Sequence, residues 1–343
     1  MLNFDEERFR KIQGGAVALA EPIRETVGEL LDGGAENVYF LGAGGAGVLM
    51  LPAAQLLQRR SAFPMQLVHA AEIVLTDSAA LGANSIVVIP SLSGTTKESV
   101  AVMEFAQAKG AKVIALTGHE DTPVAQGADV NFTNFAADDT SSESFYLQSL
   151  LIALAILDAR GELDGDGDGG GYDAIVQELA LLPDALVEVK RGFEDRAASL
   201  AEAYKDEPYH IIVGGGSAWA EAWYYGTCIL EEMQWIRTRP VHASDFFHGT
   251  LELVEQGVSV LLLKSEDEAR ALADRVESFV PTVTDKLEVV DPASFELPGV
   301  SKGVRALITP VLLAAVLERL SAHLEVLRDH PLTTRRYYRR VEY

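Results

Sequence analysis

The chain has 343 residues, 48% of them hydrophobic, and a formal net charge of −23. At roughly 150 residues per domain this length allows two domains, each large enough to bury a core. The charge argues against a nucleic-acid binder, whose affinity comes from lysine and arginine neutralising phosphates. No apolar run is expected to approach the roughly 20 residues of a membrane-spanning helix. The first residues, MLNFDEERFRK, are charged and do not read as a secretory signal. The single cysteine, Cys228, can form neither an internal disulfide nor a multi-thiolate metal site, so the expected compartment is the reducing cytoplasm.

Residues 5–33 predict one or two amphipathic helices, interrupted near Gly14, Gly15 and Pro22. A short strand, Asn37–Leu41, ends at the glycine cluster Gly42–Gly47, and a helix follows to about Arg60. Strands are expected at Met65–His69 and Asn84–Pro90, then a turn over Ser91–Gly94 and a helix from about Thr95 to Lys109. Strand Lys112–Thr117, a short strand Asp129–Phe132 and a long apolar helix Ser142–Ala159 complete a first domain, residues 1–160. Residues 161–171, GELDGDGDGGG, read as an exposed linker, because glycine and aspartate there have nothing to bury. The glutamate that closes an EF-hand calcium loop is missing from it.

The pattern then restarts in a second domain, residues 172–343. A helical region (172–204) leads to strand Tyr209–Val213, which ends in Gly214-Gly-Gly-Ser217 and opens a helix running to about Trp235. Strand Val258–Leu263, a charged helix near Asp267–Phe279 and a last helix over about Val304–Arg328 follow. Strand, small-residue loop and helix thus recur at Phe40–Leu57 and Ile212–Leu230, a coarse internal repeat. Short apolar strands alternating with helices predict an α/β fold of two tandem αβα domains. Each would be a mainly parallel, doubly wound sheet with helices on both faces.

Ser91-Leu-Ser-Gly-Thr-Thr-Lys-Glu98 falls where a strand ends and a helix begins, the carboxyl edge where open α/β sheets bind ligands. An acidic surface repels anions at long range, so a phosphorylated ligand would need a local site of backbone N–H groups and hydroxyls. A helix N-terminus supplies the first, Gly94 lets the backbone approach closely, and Ser91, Ser93, Thr95 and Thr96 supply the second without adding charge. Plain N-capping by Ser93 or Thr95 is the alternative, although it needs only one hydroxyl. Gly42–Gly47 also satisfies G-x-G-x-x-G. The acid a dinucleotide site requires could only be Glu72, about 30 residues beyond Gly42 where about 20 is usual. A tight turn beside some other ligand remains open there.

A third constellation runs from Glu231 to Gly249: two glutamates ending an apolar helix beside Trp235, then a strand-like link to a segment with His242, Asp245 and His248. Burial would raise such a carboxylate towards the range of a general base, with a histidine as acid. A helix-end acid and a capping or core histidine fit the same residues.

These motifs resemble the SIS superfamily of sugar isomerases, and within it the fructosamine-6-phosphate (fructoselysine-6-phosphate type) deglycases, relatives of the isomerase part of glucosamine-6-phosphate synthase. The resemblance is carried by Ser91–Glu98, by Glu232-Met-Gln-Trp-Ile with His242–Gly249, and by the tail His330–Tyr338. It implies that Ser91, Ser93 and Thr96 hold a phosphate, with Thr95 beside them. It also implies that Glu232 is the enolisation base, and that His248 assists ring opening from a partner subunit, in a homodimer with shared sites. Gly44 and Gly45 would line the sugar pocket, and Ser141 and Arg336 join the substrate-binding set. Ala46 stands where the synthases place a serine, Ile229 replaces their lysine before the glutamate, and Arg336 replaces their imine-forming C-terminal lysine. Arginine stays protonated and forms no imine. No amidotransferase domain precedes the first helix, so glutamine-dependent synthesis is not expected.

The implied reaction splits a 6-phosphorylated Amadori compound into glucose 6-phosphate and an amine, with no metal or redox cofactor. An aldose–ketose isomerase or an aminosugar-phosphate deaminase shares the same enolisation. A non-catalytic sugar-phosphate sensor and a dehydrogenase are the other classes weighed. The basic tail, Arg335-Arg-Tyr-Tyr-Arg-Arg340, either satisfies acidic neighbours or packs over the pocket to meet a phosphate or a substrate carboxylate.

Overall fold

The computed structural model describes residues 1–163, 170–338 and 340–342. The expected linker, 161–171, therefore lies largely outside the described residues. Two compact units emerge. One holds Glu7–Asp184 and Gly299–Ile308; the other holds Met1–Glu6, Ala185–Pro298 and Thr309–Tyr343.

The first unit opens with helices α1 (Glu6–Ala18) and α2 (Ala20–Asp32). The chain breaks between them at Leu19, not at the glycines or the proline. Pro22 lies in the first turn of α2, where its missing N–H would lack an intrahelical partner anyway. Gly15 stays inside α1 because Asn134 passes against it: a Cβ there would stand 2.5 Å from Asn134 Oδ1. The Asn134 amide donates to the Ile12 carbonyl at 3.0 Å and to Ser144 Oγ at 2.5 Å, which ties the helix down.

Then follow β1 (Asn37–Gly42), α3 (Gly44–Val48), α4 (Leu51–Arg60), β2 (Met65–His69), α5 (Ala70–Thr76), β3 (Ser85–Ser91), α6 (Lys97–Ala108), β4 (Lys112–Thr117), α7 (Pro123–Gly127), β5 (Val130–Thr133), α8 (Ser141–Ala159) and α9 (Tyr172–Leu179). The five strands pair in the order β2-β1-β3-β4-β5, every pair parallel. All seven residues of β3 are buried, as a central strand covered on both faces requires.

The second unit contains most of α10 (Leu182–Tyr204), then β6 (Tyr209–Gly214), α11 (Ala218–Tyr224), β7 (Arg237–His242), β8 (Ser259–Leu263), α12 (Arg270–Phe279), β9 (Leu287–Val290) and most of α13 (Lys302–Leu327). Its sheet has the order β7-β6-β8-β9, again wholly parallel. Strand β9 has no counterpart in the sequence reading. It is an edge strand with only Val290 buried, so its apolar pattern is weak. The expectation that no apolar stretch reaches membrane-span length is corrected by α8 and α13, which are long and apolar enough. Both are 83% buried within the fold, which accounts for their composition. The helix expected to reach Trp235 also ends early. After Tyr224 it widens into a π-helical segment, Tyr225–Glu231, in which the Glu232 N–H bonds the Thr227 carbonyl five residues back.

His210 sits in β6, fully buried, with Nδ1 2.8 Å from Ser259 Oγ and its ring 4.4 Å from that of Tyr204. Burial pushes its imidazole down to about 4, aided by Lys286 and Arg328 and opposed by Glu207. In the unfolded chain the same ring titrates near about 6.5. Below that pH the unfolded state takes up a proton that the folded state refuses. The stabilisation is therefore complete above about pH 6.5 and is lost as the pH falls towards 4. Urea unfolding should show a loss of about 2 kcal/mol from this residue between pH 7.5 and pH 5. His210→Gln should flatten that part of the pH dependence; an unaltered profile would acquit His210.

Candidate active site

In the first unit β1 and β3 are neighbours, and the chain leaves them to opposite sides, so the crevice at their carboxyl ends is the topological switch point. The glycine cluster and the hydroxyl loop both end there. Gly42 is required by packing: a Cβ would stand 2.2 Å from Gly47 Cα, so α3 begins directly against the end of β1. Gly44 is exposed with φ +55, and Gly45 is half-buried.

The hydroxyl loop is pinned from beneath. The Gly118 N–H bonds the Leu92 carbonyl at 3.0 Å, and the Val124 N–H bonds the Gly94 carbonyl at 3.1 Å. Gly94 has φ +61, and a Cβ on it would lie 2.0 Å from Thr122 Oγ1. Thr96 is the N-cap of α6 and makes no side-chain cap bond. Ser93 Oγ instead accepts from Thr95 Oγ1 at 3.1 Å, which ties two hydroxyls into a turn ahead of the helix. Ser91 Oγ is buried and has no hydrogen-bond partner among the described residues. The local geometry thus presents uncapped helix N–H groups, one uncommitted buried hydroxyl and no formal positive charge in the loop before Lys97, a set suited to a phosphate monoester.

The second unit repeats this crevice at the ends of β6 and β8, but the chain fills it. The Asp267 carboxylate accepts from the Ser217 N–H (2.7 Å), the Ala269 N–H (2.9 Å) and Ser265 Oγ (2.8 Å). A Cβ on Gly216 would stand 2.4 Å from Asp267 Oδ1. An internal anion therefore occupies the position an external one would take.

The same unit opens elsewhere. Glu232 follows the π-helical segment, a winding that inserts an extra residue per turn and is frequent at functional sites. Gly226 lets this segment pass close to β7, since a Cβ there would meet Pro240 Cγ at 2.6 Å. The chain then reverses at Trp235, which holds φ +56. Glu232 and Trp235 line a cavity of about 1080 Å³ together with Glu231, Arg237, Arg335 and Arg336, among others. Glu232 Oε1 accepts from Arg335 Nε at 2.9 Å. Glu231 is committed to the backbone and hydroxyl of Thr238, at 3.1 and 2.8 Å. The tail lies over this end of the unit: the Gln234 amide donates to the His330 carbonyl at 2.8 Å, and the His330 ring packs edge-on against Trp235.

A SIS-domain family model matches residues 34–158. The chain is 30% identical over 313 residues to the fructosamine deglycase of Bacillus subtilis (strain 168), spanning 90% of this chain and 93% of that protein. The chain belongs to the SIS family. It is also 27% identical over 332 residues to the fructoselysine 6-phosphate deglycase of Escherichia coli (strain K12), covering 97% and 93% of the two chains. A crystal structure from Bacillus subtilis, described as a candidate phosphosugar isomerase, superposes with TM-score 0.86 at 28% identity. It covers 96% of this chain and 99% of its own. This SIS protein is accordingly an enzyme, a deglycase or a sugar-phosphate isomerase.

The sequence-derived candidates divide between the units. Ser91, Ser93, Thr95, Thr96, Gly44 and Gly45 gather at one switch point, whereas Glu232 and Arg336 share the cavity of the other unit. Ser141 begins α8, and its hydroxyl is taken up by the Asp138 carbonyl at 3.4 Å. His248 is exposed on a short 3-10 turn ahead of Gly249 and is not among the residues lining the Glu232 cavity. Nearby, burial holds the His242 imidazole below its ordinary value, against the pull of Asp245, and its Nδ1 accepts from the Ser244 N–H at 3.3 Å. Of the two glutamates, neither meets the condition of burial: both are exposed at the end of the widened helix.

Three contributors went unread in the sequence. Arg335 was seen only as tail charge. Thr122 has no marker apart from its place before a proline, and Asp267 looked like the start of a charged helix. Cys228 offers no nucleophile, because burial pushes its thiol up to about 11.

Gly94→Ala combines a clash with Thr122 and an unfavourable φ, and should cost about 1–3 kcal/mol. An unchanged urea midpoint would mean that the loop is not held against Thr122.

Proposed function

We propose that this SIS enzyme is a fructosamine-6-phosphate deglycase. It would split a 6-phosphorylated 1-amino-1-deoxy-fructose with water into glucose 6-phosphate and a free amine or amino acid. The observation that carries the reading is Glu232, set by the π-helical segment on the wall of an open cavity. It occupies the position that matches the family's base. Two deglycases aligned over nearly the whole chain support the same reaction.

In this reading Ser91, Ser93, Thr95 and Thr96 bind the phosphate with the N-terminal N–H groups of α6, and Gly44 and Gly45 line the sugar. Ser141 acts by shaping the start of α8. Glu232 takes a proton from C1 and returns one to C2 through an enamine-like intermediate. Water then adds to the resulting C1 imine, the C1–N bond breaks, and the amine leaves with the proton that water supplies. The Arg335 guanidinium fixes the orientation of the Glu232 carboxylate before substrate arrives. His248 aids ring opening from a second copy of the chain, which fits its exposure and its absence from the Glu232 cavity. The cytoplasm is the working compartment, in keeping with the lone cysteine.

Glu232→Gln is expected to abolish glucose 6-phosphate release, followed with glucose-6-phosphate dehydrogenase, while sugar-phosphate binding persists by calorimetry. Full turnover in that variant would remove the assigned base. Mixing Glu232→Gln and His248→Ala subunits should restore measurable activity. No recovery, in a mixture shown to contain heterodimers, would refute the shared site.

A further inference from the structure

The Glu232 cavity holds a cation that the proposed chemistry at C1 and C2 leaves unused. Arg336 lies with its guanidinium carbon 3.9 Å from the centre of the Trp235 ring. Unlike Arg335, it has no carboxylate partner among the described residues. Arg237 lines the same cavity, is exposed, and forms no ion pair among the described residues. In a chain with 51 acidic and 28 basic side chains, two arginines that line one cavity and pair with no acid among the described residues stand out. Of the acids lining the cavity, Glu232 pairs with Arg335, Glu231 with Thr238 and Glu207 with Lys286, while Asp206 is exposed.

Trp235 explains why the charge is held in place. Its ring is fixed by a backbone at φ +56 and by the edge of His330, with ring centres 4.4 Å apart. A guanidinium stacked on a fixed ring keeps its N–H edge free and pre-aimed, so little side-chain entropy is lost when an anion docks. The planar fork matches a carboxylate in two-point contact.

We propose that Arg336, with Arg237 lining the same cavity, forms a carboxylate subsite for the amine half of the substrate, so that the enzyme selects ketosamine phosphates made from amino acids over those made from neutral amines. The inference rests on the deglycase reading. The amine is attached at C1, where Glu232 works, whereas the phosphate is at C6. The anion that reaches the wall around Glu232 is therefore the one carried by the amine. A cavity of about 1080 Å³ leaves room for an amino-acid portion beside a hexose.

The test compares the 6-phosphates of fructosyl-glycine and fructosyl-glycinamide, which differ by a charge and scarcely in shape. Wild-type kcat/KM should favour the glycine compound by roughly ten- to a hundredfold, the worth of a charge-assisted two-point contact. In Arg336→Met, with its thermal midpoint checked against wild type, that ratio should fall towards one, chiefly through KM for the glycine compound. Arg336→Lys should restore part of it. Equal wild-type rates on both compounds, or an equal loss on both in Arg336→Met, would overturn the subsite and leave deglycation standing. No glucose 6-phosphate from either compound would overturn the deglycase reading and this inference with it.

Discussion

Parallel pairing is the constraint on which the rest of this structure depends. A parallel strand cannot be followed directly by its neighbour; the chain must cross back over a face of the sheet. Every strand therefore ends at the same edge, and every strand-to-helix loop opens there. In the first unit the order β2-β1-β3 splits the crossovers at β1 and β3, which leaves a crevice between the glycine turn and the hydroxyl loop. The close approach of Gly42 to Gly47 and the seat of Gly94 on Thr122 are consequences of loops crowding one edge. The second unit obeys the same rule and opens the same crevice, yet Asp267 closes it with the chain's own carboxylate.

The charge pattern follows a related logic. A chain this acidic gains nothing from a general attraction for anions, so cations are spent where geometry makes them specific. Some are buried in pairs: Lys190 reaches Glu318 at 2.9 Å, and Arg319 reaches Glu194 at 2.8 Å, both bases fully buried. Such pairs orient α10 and α13, and removing one partner would leave an uncompensated buried charge. Others, Arg335 and Arg336, stand on the wall of the Glu232 cavity. An acidic surface and local cationic sites coexist because Coulomb forces between exposed charges fade within about a Debye length.

The legibility of the sequence tracked the strength of local signals. Strands β1, β3, β4, β6 and β8 were readable because both faces are covered, which writes them as short apolar runs between small-residue turns. β9 was not, because an edge strand carries half that pattern. The end of the helix before Glu232 was misread for another reason. Tyr225–Glu231 has ordinary helical composition, and only contact with β7 at Gly226 reveals that it winds as a π-helix. Glu232 could be picked out by its motif, but its exposure and its arginine partner came from elements about a hundred residues apart.

The sequence by itself determined the alternation of strand and helix, the location of the hydroxyl loop at a strand's carboxyl end, and the family to which the chain belongs. Those properties are written in local spacing and composition. The tertiary structure decided which of two similar crevices the chain fills with its own carboxylate, which arginine holds Glu232 and which is left on Trp235. These depend on through-space contacts such as Asp267 with Ser217 and Arg335 with Glu232, and no one-dimensional pattern encodes the meeting of residues so far apart along the chain.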